Sequence, residues 1–552
     1  MRKTTSLISL FAAILVASST ACATGRGATA AASSSNTTET AAQNQKGVTP
    51  ASFIRVDGPD LNARLDAAAR RARADNAQRP YWTAYSFDVR PGVAVDPSGG
   101  EFHGSMNGFG GIYVFSGTNA AGMTVETRNL AVFLLRSPAS GAITRMEVYN
   151  LDRVREYGGY PVYFTGRASN EESLNFLRGI AEGPPTASAN HDGMLNERAA
   201  LAISLHDDPR VAGILKDFVR TSKNRQVRAS SVYWLGAIGG ETQFLSDIVR
   251  NTSEDRDLRR AAAHAIGESR DRAALSTLQS LYEKLTEREL RQAIAHAAAN
   301  NEDKDAALAF LLRVAKNDPD AEVRKAAVHG IGETGGERAI DELSKIYSTD
   351  QNLDLRRTVL HSLSEIDSPR AADKITAVAR DANENLELRR TAIHILGEER
   401  ESDATVAELI RLYDADRNRE IRLTVLHALS ETKGQRAEDK LFEVARGGDD
   451  PALRSMAIHI LGERADQRSL ALLSDTLNAN DAETQVQIQA LHAISERPAD
   501  EAVPLLLKAA KSHPNPQVRR AAIHWLGESG DPRALEFFHQ VLTEKPEEMK
   551  EQ

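Results

Sequence analysis

Nine histidines, His264, His296, His329, His361, His394, His427, His459, His492 and His524, recur at intervals of 32 or 33 residues. Each sits in the same local sentence, as in Leu388-Arg389-Arg390-Thr391-Ala392-Ile393-His394-Ile395-Leu396-Gly397-Glu398, and the register reappears from Leu258, Leu290, Val323, Leu355, Ile421, Leu453, Val486 and Val518. A fixed period of this length means stacked supersecondary units, each burying its apolar face only against its neighbours. The repeats therefore set the fold before any other property is consulted.

The remaining composition narrows the class. A net charge of -9 over 552 residues, without a broad basic excess, gives no electrostatic footprint for nucleic acid. Cys22 is the only cysteine, so neither an intrachain disulfide framework nor a cysteine zinc site can form, and stability must come from packing.

The first residues read as an export signal. Arg2 and Lys3 form a basic start, 7–17 an apolar segment too short to span a membrane, and small residues lead to Cys22. This segment resembles a bacterial lipoprotein signal, which implies lipidation of Cys22, with Ser19 standing where that pattern favours Leu. Ordinary signal cleavage after Ala21-Cys22-Ala23 is the alternative. Residues 1–23 are thus expected to be removed or processed. Residues 24–50, rich in Ala, Ser, Thr, Gly and Asn, would form a flexible tether. The expected location is the periplasmic or outer face of a membrane through a lipid anchor, or, with ordinary cleavage, a soluble periplasmic or secreted protein.

Residues 51–168 form a small non-repeat region. A charged amphipathic helix is expected over 61–74, and 81–89 alternates like a half-buried strand. Further strands are expected at 112–115, 123–127, 131–135 and 143–149, giving a small antiparallel sheet that caps one end of the array. His103, in the Gly-rich stretch 99–111, reads as a loop residue, and no catalytic signature stands out.

The repeats, over 169–545 with a polar tail at 546–552, read as helical hairpins. On a helix starting at Leu388, the side chains of Ala392, Ile395 and Leu396 fall on the core side, while Arg390, His394 and Glu398 form one polar stripe. With neighbours about 8–10 Å apart, ten hairpins would extend on the order of 90 Å.

The Leu/Val-Arg-x-Ala-Ala-x-x-x-Leu-Gly-Glu motif followed by Asp-x-Arg-Ala-Leu, as at 518–535, resembles HEAT repeats of the short subtype named for phycobilisome lyases. The resemblance runs from about Glu197 to Thr543. It implies a mainly α fold, a curved α-solenoid of about ten hairpins whose second helices line the concave side. It also implies that Arg228, Arg259, Arg291, Arg324, Arg356, Arg389, Arg422, Arg454 and Arg519 tie adjacent turns together, with Gln487 departing from the pattern. Scaffolds, bilin lyases and a metal-dependent hydroxylase share this repeat. The hydroxylase uses adjacent His-Glu dipeptides; this chain has none, so its metal ligands are not carried over, and bilin attachment has no residue support.

A second rhythm lies inside the first. Gly267, Gly332, Gly397, Gly462 and Gly527 precede the stripe glutamate in alternate units, whereas Ser364, Ser430 and Ser495 hold that place between them, so the full period is 65 or 66 residues. Ala299 and Asn300 mark the one unit in which both positions drifted. The candidate binding stripe pairs His264 with Glu268, His329 with Glu333, His361 with Glu365, His394 with Glu398, His427 with Glu431, His459 with Glu463, His492 with Glu496 and His524 with Glu528. Three roles fit it: a hydrogen-bonded ladder that raises the histidine pKa values, a recognition surface, or a metal site. The expectation is a non-enzymatic, protein-binding scaffold of the cell envelope, with no catalytic residue, metal ligand or cofactor assigned; a metal-dependent enzyme of the hydroxylase branch is the alternative.

Overall fold

A computed structural model describes residues 50–75, 79–95, 102–109, 112–119, 127–184, 195–398, 403–432, 434–447, 450–464, 466–479 and 483–543. Cys22, the tether through residue 49, the tail 546–552 and residues 123–126 of one expected strand lie outside them.

The chain is mainly α, with 24 α-helices among the described residues. Helix Leu61–Asp75 fills the expected helical position, and eight strands surround it in sequence: β1 (Ile54–Arg55), β2 (Tyr81–Ser86), β3 (Ala94–Val95), β4 (Phe102–Phe109), β5 (Ile112–Asn119), β6 (Leu130–Arg136), β7 (Ile143–Asn150) and β8 (Val162–Arg167). The expected single antiparallel sheet is corrected in two ways. The larger sheet, ordered β1-β8-β2-β6-β7, is mixed, because β8 enters parallel between β1 and β2; β3-β5-β4 make a separate antiparallel sheet. His103 stands in strand β4, where the glycines of 99–111 suggested a loop.

The expected half-buried strand is also corrected, since Tyr81 to Tyr85 are all buried. Both faces of the sheet are covered. Trp82, Ala84, Ala131 and Phe133 pack with Phe53 and Tyr157 on one side, whereas Tyr85, Leu130, Val132 and Leu134 join the solenoid core on the other. The alternation of period 2 therefore separates two apolar environments rather than core from water.

From Asn170 to Glu528 the helices form eleven hairpins, followed by a last helix, Pro532–Thr543. Second helices start where a short polar side chain caps them: Asn224, Asp255, Asp320, Asn352, Asn418, Asp450 and Asn515 each accept from a backbone N–H of the first turn. This accounts for the Asp and Asn between the apolar segments. Leu388, Ala392, Ile393, Ile395 and Leu396 are buried, as the period of 3.6 requires. Second helices of neighbouring hairpins contact each other more closely than first helices do. A row that is tighter on one side curves toward that side, so the second helices line the concave face.

The register arginines act between units. Arg228 donates through Nε to the carbonyl of Val219, 2.7 Å away, at the end of its own first helix, and through Nη2 to Glu254 of the next turn at 2.6 Å. Arg259 does the same to Val249 at 2.8 Å and Glu287 at 3.1 Å. Gln487 keeps the first half of this work, donating to Ala479 O at 2.8 Å.

The glycine-serine alternation has a packing cause. A Cβ on Gly267 would fall 2.2 Å from the Ala297 carbonyl oxygen, one on Gly332 2.8 Å from that of Ser362, and one on Gly462 2.4 Å from Ala493 Cβ. Each glycine lets its helix press against the following second helix. Ser364, Ser430 and Ser495 instead return their hydroxyls to His361, His427 and His492 of their own helices, at 2.6–2.7 Å, and their units contact the next one less closely. Tight and looser interfaces thus alternate along this part of the row.

Candidate concave binding site

The histidines stand one per unit on the second helices, and their environments differ along the array. His264 and His296 are half-buried on the concave side, whereas His361, His394, His427, His459 and His524 are exposed. Burial pushes His264 down to about 4 and lowers His296, since desolvation penalises the imidazolium. His329 goes the other way. Its Nδ1 lies 3.1 Å from Glu333 and its Nε2 3.3 Å from Glu365 of the next unit, and the two carboxylates raise it to about 10.

The regular His-Glu ladder is therefore local. His394 and Glu398 stand 3.5 Å apart and His459 and Glu463 3.7 Å, while Glu268 accepts from Asn300 Nδ2 at 2.6 Å and burial raises its pKa. Glu365 turns to His329 rather than to His361. His492 and His524 both pack on Trp525, with ring centroids 4.8 and 5.0 Å apart. Arg390 bridges units, 3.2 Å from Glu387 and 3.7 Å from Glu420. No group of three His, Cys, Asp or Glu side chains among the described residues is arranged to hold a metal ion.

Three features escaped the repeat register. Tyr233 occupies the histidine place of the preceding unit, 31 residues before His264, and the Val227-Arg228 register was the signal for it. His206 lies where the sheet meets the array: its Nδ1 is 2.8 Å from Ala202 O, its Nε2 is 2.8 Å from Ser173 Oγ, and its ring stacks on Phe87 at 4.2 Å. The third feature is a groove of about 770 Å³ lined by Ser455, Met456, His459, Gln485, Gln489 and His492, with the Arg419–Asp450 pair (2.6 Å) on its edge. Its signal is the loss of charge at positions that carry Glu387 and Arg390 one block earlier.

These shifts fix a pH dependence. His206, buried between Phe87 and Ser173, is pushed down to about 4, so the unfolded chain protonates first as pH falls below 6.5. Its contribution is complete above that pH and lost toward 4, with an upper value of about 3 kcal/mol; His264 and His296 add in the same direction. His329 has the opposite sign: its share is complete below 6.5 and fades as pH rises through 10. Unfolding measured from pH 7 to 4 should lose stability steeply, and His206→Gln should flatten that acid limb. An acid limb unchanged by the substitution would contradict the assignment.

A family model described as HEAT repeats matches residues 242–327, 308–387 and 476–552. A search of curated proteins finds no match. Among solved structures, human deoxyhypusine hydroxylase in complex with glycerol is similar at 17% identity, covering 48% of this chain and 96% of that one with a TM-score of 0.22. The complex of CpcE and CpcF of phycocyanin lyase from Nostoc sp. PCC7120 is similar at 19% identity, 42% and 93% coverage and a TM-score of 0.24. The structure of Kap95p with RanGDP gives 12%, 67% and 58%, and a TM-score of 0.35. All three scores lie below 0.5, and none of these proteins' activities is carried to this chain. The α-solenoid is thus similar to HEAT repeats in three segments that together cover less than half of the chain.

Proposed function

We propose that this protein is a non-catalytic interaction scaffold that holds a protein partner along its concave face. The observation that carries the reading is the row of exposed histidines, His361, His394, His427 and His459, set on successive second helices with charged neighbours beside them. Such a surface repeats the same donors and acceptors at each unit, which suits an extended partner better than a small substrate. A metal-dependent enzyme is the competing reading. It predicts that EDTA lowers the unfolding midpoint at pH 7, whereas the scaffold predicts no change; a chelator-dependent drop would overturn the proposal.

The reading includes export and anchoring through Cys22, supported by the basic start, the short apolar segment and the small residues before the cysteine. Cys22→Ser should move the protein from the membrane to the soluble fraction of the envelope. Wild-type protein already soluble after lysis, with a mature N-terminus at Thr24, would end the anchoring part and leave the scaffold part standing.

A further inference from the structure

Two neighbouring units of the concave face, those of His459 and His492, carry no charge at the stripe positions before the histidine. Two positions on each second helix, three and four residues before the histidine, and a third seven residues before it, point along the stripe. From 321 to 398 they hold Glu322 with Lys325, Asp354 with Arg357 and Glu387 with Arg390, each pair 2.7–3.2 Å apart. In the units that follow, the same register reads Glu420, Leu423 and Thr424, then Ala452, Ser455 and Met456, then Gln485, Ile488 and Gln489, before charge returns at Arg520. The groove of about 770 Å³ opens here.

Its hydrogen-bonding capacity is unspent. Among the described residues, the side-chain amides of Gln485 and Gln489 have no hydrogen-bond partner, and Ser455 Oγ, buried in the floor, has none either. A primary amide offers both a donor and an acceptor without charge, which is the complement of a peptide group. Residues four apart on a helix stand about 5–6 Å apart, near the roughly 6.8 Å that separates alternate peptide groups of an extended strand. Met456 gives the groove partly buried apolar surface beside the amides. Trp525 does not present a free aromatic platform of the kind a sugar ring stacks on, because His492 and His524 already pack against its indole.

We infer that the groove between helices Pro451–Gly462 and Thr484–Ser495 binds an extended, uncharged polypeptide segment through its backbone, with Gln485 and Gln489 as the specificity-determining pair. The inference rests on the scaffold reading and narrows it to one subsite and one kind of partner segment. The charged stretch around Glu387 and Arg390 would then contact a different part of the same partner.

The test selects twelve-residue peptides from a random phage library on the full-length protein and synthesises the enriched ones with a fluorophore for anisotropy titration. Enriched peptides should have an uncharged core, and the double variant Gln485→Ala/Gln489→Ala should weaken them about tenfold or more. N-methylation of alternate backbone amides in the peptide should abolish binding, whereas Glu387→Ala/Arg390→Ala should change it less than about twofold. The thermal midpoint of each variant is read alongside, and Gln489→Glu supplies a second, isosteric variant that puts a charge in the groove. Peptides that bind independently of both glutamines but need Glu387 and Arg390 would overturn the subsite and leave the scaffold standing. Absence of any enriched peptide would count against both. Glutamine-dependent binding of chitotetraose or cellotetraose, without peptide binding, would replace the peptide by a glycan and overturn the inference.

Discussion

Arg198→Ala should cost up to about 3–5 kcal/mol, because it takes away the buried partner of the Glu147 carboxylate where sheet and solenoid meet and leaves only the half-exposed Arg145 beside it. Glu147 in β7 and Arg198 in helix Leu195–Ser204 are 3% and 4% exposed and form a direct ion pair; Arg145 also reaches Glu147, at 2.7 Å, from a more exposed position. Removing Arg198 leaves the buried carboxylate with Arg145 alone, whereas replacing both Glu147 and Arg198 by apolar side chains of similar volume, as in Glu147→Leu/Arg198→Met, should come close to neutral. The fluorescence of Trp82, inside the sheet's own cluster, reports unfolding of this end of the molecule. A cost below about 1 kcal/mol for Arg198→Ala, as expected of a solvent-exposed pair, would show that the ion pair does not hold the junction.

The second large effect is a difference between two identical substitutions. Gly462→Ala places a methyl group 2.4 Å from Ala493 Cβ, closer than the helices can tolerate without moving apart, and should destabilise by about 1–3 kcal/mol. Gly527→Ala, at the same repeat position on the last second helix, meets nothing within 4 Å. There the gain in helix propensity should dominate, with stabilisation of up to about 1 kcal/mol. The two midpoints measured in urea are expected to move in opposite directions. Shifts of the same sign and size would leave the alternation as a trace of ancestry without packing meaning.

The repeats were legible because a solenoid's contacts are local: the residues that make an interface recur with the period, so the second helices, their buried Ala392, Ile395 and Leu396 positions and the arginine register can all be read from one dimension. The sheet was not, because strand order is a long-range property. Nothing around 162–167 announces that this segment passes between β1 and β2, parallel to both. The same limit applies to the stripe. One motif holds nine histidines, yet desolvation pulls His264 down while His329 is held up between two carboxylates, since the neighbouring units decide the environment. His206, outside the register, had no periodic signal at all.

Site-specific photo-crosslinking in cells that express the full-length protein tests the concave-face scaffold most directly. A benzophenone amino acid replaces His361, His394 or His427 on the second helices, and Lys374, Arg411 or Glu443 on the exposed side of the first helices. The scaffold account predicts an adduct of one defined mass from the three histidine positions and none from the other three. Adducts from the first-helix positions alone, or equal labelling from both sets, would contradict it.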